Sequence, residues 1–486
     1  MQLKHIALAI AALGAGTQAF AAGNAAAEAN RIAQLEAQLK AMQAQIEELK
    51  NVQKTQSTAQ KSQKEELAQL QDQVVAQGKE VVVAGDLPNS MRLASGDTSI
   101  RVYGIAEMNM VSERRGSNAD SDYSTWMPYA PLRGSAAANR TGQTYLHART
   151  SRLGVEAATP TQYGQLVAKI EGDFNNDPRT GNSAVYGKVQ NIGTQVATNS
   201  YDFRLRHAYF QLAGWTVGQT WTTFMDLDAT PEVVDFNGPM GSTFIRQPQV
   251  RYTYATPNYG NFSAAIENSV SYVLKRTQDA SSGDYSYDAT NDGFTRTADL
   301  ILRWDRALPW GSLSVRGVSN EHRLNDGSGL NLSRRGYGMA AAAVYKATDD
   351  DTLSINVTGG DGIGRYFNGI DGAIYDTTNR RIVLERAVGV VLGYQHKFSD
   401  TVRMNIAYGH QKSFNNEYHE YVLKNLPTDH RGLTNRTVSQ LHIGAIWNPV
   451  KYVDIGAEYI YGRRETILGE RGDMSRINLM GRYNFN

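Results

Sequence analysis

From Gln165 to Phe174 the chain alternates without a fault. Leu166, Ala168, Ile170, Gly172 and Phe174 share one face, and Gln165, Val167, Lys169, Glu171 and Asp173 share the other. A period of two predicts an extended strand. The pattern recurs from Ser99 to the end of the chain and predicts sixteen strands, among them 143–157, 165–174, 311–319, 334–346, 452–462 and 473–485. Their connections alternate between short and long. Tight turns fall at "TPTQYG" (159–164), Gly214, "TPNYGN" (256–261), "RALPWG" (306–311), "ATDDD" (347–351), "SDT" (399–401) and "NPVK" (448–451). Long polar stretches fall between them, at 112–142, 175–200, 225–243, 273–294, 320–333, 361–384, 412–435 and 463–472. A soluble sandwich has no reason to put every long loop at one end. A membrane barrel does, with tight turns at one rim and long loops at the other.

The apolar faces carry the same message. Leu441, Ile443, Ala445 and Trp447, or Val453, Ile455, Ala457, Tyr459 and Tyr461, put aliphatic side chains in mid-strand and aromatic ones towards the ends. Aromatic rings suit the head-group boundary. The expected fold is therefore all-β, a 16-stranded antiparallel transmembrane β-barrel over 99–486, with apolar side chains towards lipid and Lys169, Glu171 and Asp173 towards water.

Three segments precede the barrel. Residues 1–21 have a basic start, an apolar run from Ile6 to Ala15 and a small-x-small site at Ala19-Phe20-Ala21, the marks of a secretory signal peptide. Residues 28–77 hold heptads that never slip. One column is Ile32, Leu39, Ile46, Gln53, Gln60, Leu67 and Val74; the other is Leu35, Met42, Leu49, Gln56, Gln63, Leu70 and Gln77. A sustained 3.5 spacing predicts an N-terminal α-helical coiled coil. Its central four layers of glutamine predict a looser middle; a single amphipathic helix is the alternative. Residues 78–98, broken by Gly78, Gly85, Pro88 and Gly96, read as a linker. An even strand count puts both ends of the barrel on the short-turn side, so the coiled coil is expected in the periplasm.

Composition narrows the functions. Among 486 residues, 49 basic side chains face 48 acidic ones, which gives no support to a nucleic-acid partner. Without cysteine there are no disulfides and no thiolate metal sites. Mean hydropathy is −0.45, and past the N-terminus no apolar run approaches a spanning helix. His419-Glu420 has no second histidine at helical spacing, and no GxSxG turn occurs, so neither a metalloprotease nor a serine hydrolase can be assembled. The chain reads as no enzyme and needs no cofactor. A calcium site in "GGDGIGRYFNGIDG" (359–372) has no tandem repeat to support it.

Sixteen strands enclose an aqueous channel, so passive diffusion of small polar solutes is expected. Selectivity should lie with charges near the narrowest point. Beyond the linker arginine outnumbers lysine about fourfold. Arg101, Arg152, Arg204, Arg206, Arg251, Arg303 and Arg316 stand at inward parity, with Arg246 at a strand start. A planar guanidinium can grip a carboxylate at two points. The stretch "DLDATPEVVDFNGPMGS" (226–242) carries Asp226, Asp228, Glu232 and Asp235 among prolines and glycines. Folded inward, it would be an acidic constriction loop facing a basic wall. The plainer alternatives are arginines that only pair with lumen carboxylates, and an ordinary outer loop.

"SRLGVEAATPTQYGQLVAKIEGD" (151–173) resembles a hairpin of Gram-negative general porins. "GDLPNSMRL" (85–93), "FRLRHAYFQL" (203–212), "VGQTWTTFMDL" (217–227), "DFNGP" (235–239) and "IRQPQVRYT" (245–253) are similar to the DcaP-like trimeric porin family. The resemblance spans nearly the whole chain and bears on Arg204, Arg206, Gln219, Trp221, Asp226, Asp235, Asn237, Arg246, Gln247 and Arg251. It implies a homotrimer in outer-membrane lipid, an inward third loop, a periplasmic coiled coil and a preference for anionic solutes such as dicarboxylates. The alternative is a structural tether between outer membrane and peptidoglycan through the coiled coil, with the pore secondary.

Overall fold

A computed structural model of the chain describes residues 83–93, 96–116, 127–175, 185–186, 189–190, 203–278, 285–289, 292–367, 369–425 and 434–485, with eight helical positions between 39 and 64. The chain divides into two compact units, Met1–Val82 and Val83–Asn486. In the first, Leu39, Ile46 and the other described positions are helical and exposed. The signal segment 1–21, most of the segment 28–77 and any coiled-coil partner lie outside the described residues.

In the second unit sixteen strands close into one barrel. They are β1 (Ser99–Arg115), β2 in two pieces (Thr144–His147 and Arg152–Thr161), β3 (Gly164–Asp173), β4 (Arg204–Leu212), β5 (Trp215–Trp221), β6 (Arg246–Thr256), β7 (Gly260–Glu267) and β8 (Asp299–Leu308). Then come β9 (Gly311–Asn325), β10 (Asn331–Lys346), β11 (Asp351–Asp361), β12 (Arg386–Lys397), β13 (Val402–Ser413), β14 (Asn435–Trp447), β15 (Val453–Thr466) and β16 (Arg471–Phe485). Each pairs antiparallel with the next, and β16 returns to β1. Closure leaves no unpaired edge, which a span through hydrocarbon requires. The alternation holds in three dimensions: on β8, Leu300 and Leu302 are 52% and 67% exposed while Asp299 and Ile301 are 1% exposed. The two leucines point out of the barrel, and Asp299 and Ile301 point into it.

Four expectations from the sequence change. The fifth and eighth long stretches, 320–333 and 463–472, are mostly strand, and their loops shrink to 326–330 and 467–470. Polar residues there pair across strands instead of entering solvent. Ser333 donates to Glu321 at 2.6 Å, and Arg463 donates to Asp473 at 2.9 Å. Second, strand 143–157 is broken at 148–151, where Ser151 bonds the β1 backbone at Glu107. Third, the linker carries a short hairpin, Val83–Ala84 with Met91–Arg92, laid against the start of β1. Fourth, the outer loops make a packed structure. Hairpins Leu274–Gln278/Tyr285–Ala289 and Ala373–Asp376/Arg381–Leu384 form a four-stranded sheet. The helix Glu417–Asn425 packs on it through Tyr418, Tyr421 and Val422, against Leu274, Ile374 and Val383.

A buried carboxylate holds the base of this outer sheet. Glu385 accepts from the backbone N–H groups of Asp371 and Gly372 at 2.9 and 3.0 Å and from the Ser413 hydroxyl at 2.6 Å. Burial, then the neighbouring Asp371 charge, pushes its carboxyl up to about 7. A carboxyl raised on folding stabilises most at low pH and loses that contribution as pH rises through the raised value. Amides of 371–385 are therefore expected to exchange hydrogen more slowly at pH 5 than at pH 8.5, after correction for intrinsic rates. In Glu385→Gln the difference should shrink to what Asp371, whose carboxyl burial also raises, contributes.

Candidate pore constriction

The connection between β5 and β6, residues 222–245, turns into the barrel and lies along the inner wall of β8 to β16. Small residues make room for it. A Cβ on Gly409 of β13 would sit 2.0 Å from the carbonyl oxygen of Met240, and one on Gly389 of β12 would sit 2.3 Å from that of Gly241. Backbone lies on backbone at both places, which only glycine permits. Glu458 of β15, 3% exposed, accepts from the backbone N–H groups of Val234 and Asp235, both at 3.0 Å, and contacts His442 Nδ1 at 3.2 Å.

The loop's own acids mostly serve as anchors. Asp226 accepts from Ser314, from Arg303 at 3.4 Å and from the Ala229 N–H at 2.9 Å. Glu232 receives Arg403 through two nitrogens at 2.7 Å. Asp235 accepts from its neighbour Asn237 and from Asn478 of β16. Of the four acids predicted to face a basic wall, only Asp228 is exposed; it borders an open cavity. The reason is desolvation: an inward loop must pair the charges it buries.

The arginines divide into two groups. Arg101 pairs with Glu156 and Arg152 with Glu171 at 3.5 Å. Arg204 takes Asp173 with two nitrogens at 3.0 and 2.9 Å, and Arg206 reaches Glu171 at 2.7 Å and Asp173 at 2.8 Å. Arg303 pairs with Asp305 at 3.0 Å. For these five, pairing with lumen carboxylates is realised. Arg246, Arg251 and Arg316 form no ion pair with a described carboxylate. Arg246 stacks 3.5 Å from the centre of Trp221 and lies within electrostatic reach of Arg152, Arg204 and Arg206. Among the described residues Arg251 has one hydrogen bond, a long one to Thr216 at 3.4 Å, with the Glu267 and Asp305 carboxylates within electrostatic reach. Arg316, 1% exposed, donates to the Phe224 carbonyl at 3.1 Å and to Asn356 at 3.0 Å, so it braces the loop.

Arg251 and Arg303 open onto a cavity of about 500 Å³ beside the start of the loop. Lys169, His207, Tyr209, Thr220 and Asp305 line it with Asp228. Strict alternation from Arg204 and Arg206 would have put Ala208 and Phe210 inward. A register shift between β3 and β4 at Glu171/Gly172 resets the parity, so that His207 and Tyr209 line the cavity and Phe210 is 44% exposed outside. One extra residue in one strand leaves no trace in composition; the apolar Ala208 and Phe210 at nominally inward sites were its only signal.

The start of a second connection, the one after β11, also enters the barrel, which the sequence did not suggest, while its later part, Ala373–Leu384, stays in the outer sheet. Its Ile363, Tyr366, Phe367 and Ile370 join Phe224 of the third loop against Ile301, Val318, Ala340 and Ala387 of the wall. An isolated bridge links Thr243 to Phe367. The lumen is thus apolar and filled on this flank. The polar cavity lies on the wall from β3 to β8.

With this geometry in hand, likeness to known proteins is informative. A family model described as DcaP outer membrane protein matches residues 19–485. The outer membrane channel DcaP of Acinetobacter baumannii, a crystal structure, is 23% identical, with 83% of this chain covering 100% of that one at a TM-score of 0.65. OmpF of Salmonella typhi, solved with daunomycin, is 12% identical over 81% of this chain and 99% of that one, at a TM-score of 0.48. No curated protein matches the chain.

Proposed function

The chain belongs to the DcaP outer membrane protein family, and from that premise we propose that it is an outer-membrane channel that passes small solutes passively, with a weak preference for anions such as dicarboxylates. The observation that carries the reading is the Arg251 guanidinium, which faces the cavity with no carboxylate partner among the described residues, next to Arg303 and Lys169. Three cationic groups border that space against the carboxylates of Asp228 and Asp305. A dicarboxylate entering it would exchange part of its hydration for guanidinium contacts at two points, and would still be held weakly enough to leave. No cofactor takes part.

Arg251→Ala is expected to reduce the anion-to-cation permeability ratio severalfold, read as a zero-current potential in a KCl gradient across a planar bilayer. It should also weaken current block by a dicarboxylate more than block by a monocarboxylate. An unchanged potential and unchanged block would remove the basis of the reading.

On the same reading the protein is a homotrimer. Residues 1–21 are an export signal, 28–77 a periplasmic coiled coil, 78–98 a linker and 99–486 the barrel. Among the described residues, the groups named at the constriction all lie after Ser99. Deletion of 28–77 is therefore expected to leave single-channel conductance within experimental scatter of the full chain. An envelope defect with transport intact would favour the tether to peptidoglycan instead; loss of conductance with the envelope intact would mean that the coil serves the pore.

A further inference from the structure

The outward face of β15, β16 and β1 changes character at one height. On β15 the outward residues Ile455, Ala457 and Tyr459 are exposed, and Tyr459 has Ile443 on one side and Ile477 on the other. Leu479, Met108 and Met110 continue the apolar surface, 43%, 56% and 36% exposed. From Val453 to Arg463 is ten residues, about 33 Å along the strand and about 25 Å along the membrane normal at a tilt near 40°. That is the height of a lipid-facing band, so Arg463 stands at the outer head-group level.

At that level the surface becomes a lattice of guanidinium groups. Arg463 lies opposite Asp473, Arg471 opposite Glu465, and Arg115 opposite Ser475. Arg133 comes in from the first loop, its N–H on the carbonyl of Arg471 at 2.7 Å and its side chain on Asp473 at 2.5 Å. Asp473 is 5% exposed and also accepts from Arg463 at 2.9 Å and from the Tyr461 hydroxyl at 3.1 Å. A buried carboxylate thus sets the positions of Arg133 and Arg463 while leaving their side chains 55% and 49% exposed. Arg471 bonds Glu465 at 2.9 Å and remains 53% exposed; Arg115 is exposed with no described carboxylate in reach. Glu465 also meets Arg436 at 3.7 Å, so guanidinium groups outnumber the two carboxylates directly above an apolar wall.

We infer that this rim, formed by Arg115, Arg133, Arg463 and Arg471, binds the phosphate of a lipid in the outer leaflet, whose acyl chains lie on the apolar column beneath. The positive excess suits an anionic phosphate, and guanidinium is the group suited to grip phosphate oxygens at two points. A basic cluster at the edge of a transmembrane surface is the arrangement that selects anionic head groups. Free phosphate would gain nothing from the column below, and a phosphate-free lipid would gain nothing from the lattice above.

The test uses the full chain in detergent micelles, with native mass spectrometry to count bound lipid. The ligands are a bisphosphorylated lipid A, its dephosphorylated form and inorganic phosphate. The phosphorylated lipid is expected to bind at least tenfold more tightly than the dephosphorylated one. In Arg115→Glu/Arg471→Glu that difference should disappear; Asp473 keeps both its arginines there, and the barrel should retain its heat-modifiable migration. Arg471→Gln, a milder change, should lose about threefold. Equal binding of both lipids, an unaffected double variant, or competition by millimolar inorganic phosphate would each overturn the inference. So would a double variant whose oligomer dissociates while its lipid binding is unchanged, since a second copy of the chain would then cover this face.

Discussion

Replacing Arg204 and Arg206 together with alanine is expected to turn the pore towards cations, beyond a simple loss of anion preference. The two guanidinium groups neutralise Asp173 and Glu171, through bonds of 2.7 to 3.0 Å. Both carboxylates are nearly without solvent contact, and Asp173 is 0% exposed. The double substitution removes two positive charges and leaves Asp173 without its arginines, while Glu171 keeps only the longer contacts to Arg152 at 3.5 Å and Lys169 at 3.7 Å on the same wall. A unit charge about 7 Å from a permeating ion in water contributes about 0.6 kcal/mol, and more where the wall limits screening. The permeability ratio should therefore fall by about tenfold, with the zero-current potential crossing towards the cation limit in a KCl gradient. Breaking a buried pair from one side also costs about 3–5 kcal/mol, so the variant should unfold at lower denaturant. A reversal potential equal to that of the unmodified channel would show that this cluster does not face the ion path.

Glu458→Ala should have the second large effect, on the constriction loop itself. Its carboxylate is the acceptor for two backbone N–H groups, those of Val234 and Asp235. Each buried donor left unsatisfied costs about 1–3 kcal/mol. The total, about 2–6 kcal/mol, is comparable to what a single loop segment gains from packing, and 232–236 should come off the wall. Single-channel records are expected to show a higher mean conductance with more open-channel noise. Glu458→Gln retains one acceptor oxygen and should lie between. If conductance and noise are unchanged in Glu458→Ala, the bonds of Glu232 to Arg403 and of Asp226 to Ser314 and Arg303 suffice to hold the loop.

The barrel was legible because its signal is repeated. Any one strand is ambiguous, but sixteen alternating segments joined by turns of opposite length class fit few architectures besides a closed membrane barrel, and errors at single boundaries do not propagate. The loops were less legible. Residues 320–325 and 463–466 are polar and read as loop, yet they are strand because Glu321, Arg323 and Arg463 find Ser333, Asn331 and Asp473 across the ladder. The inward entry of the segment after β11 left no signal that composition could carry, since Ile363, Tyr366 and Phe367 match the wall in shape rather than in pattern. In the candidate site, the inward arginines were identified by parity. Which of them are neutralised depended on Glu156, Glu171 and Asp173 lying on neighbouring strands, where register decides who meets whom.

The sequence by itself determined the class of fold, the even strand number, the outward apolar belt and the side of each arginine except those near the bulge, because these follow from a period of two along the covalent chain. Only the tertiary structure decided which charges remain unpaired at the constriction, that two loops fill one flank of the lumen, and that His207 and Tyr209 face inward. Those depend on distances across the barrel and on one inserted residue between β3 and β4, and neither is a property of any local stretch of residues.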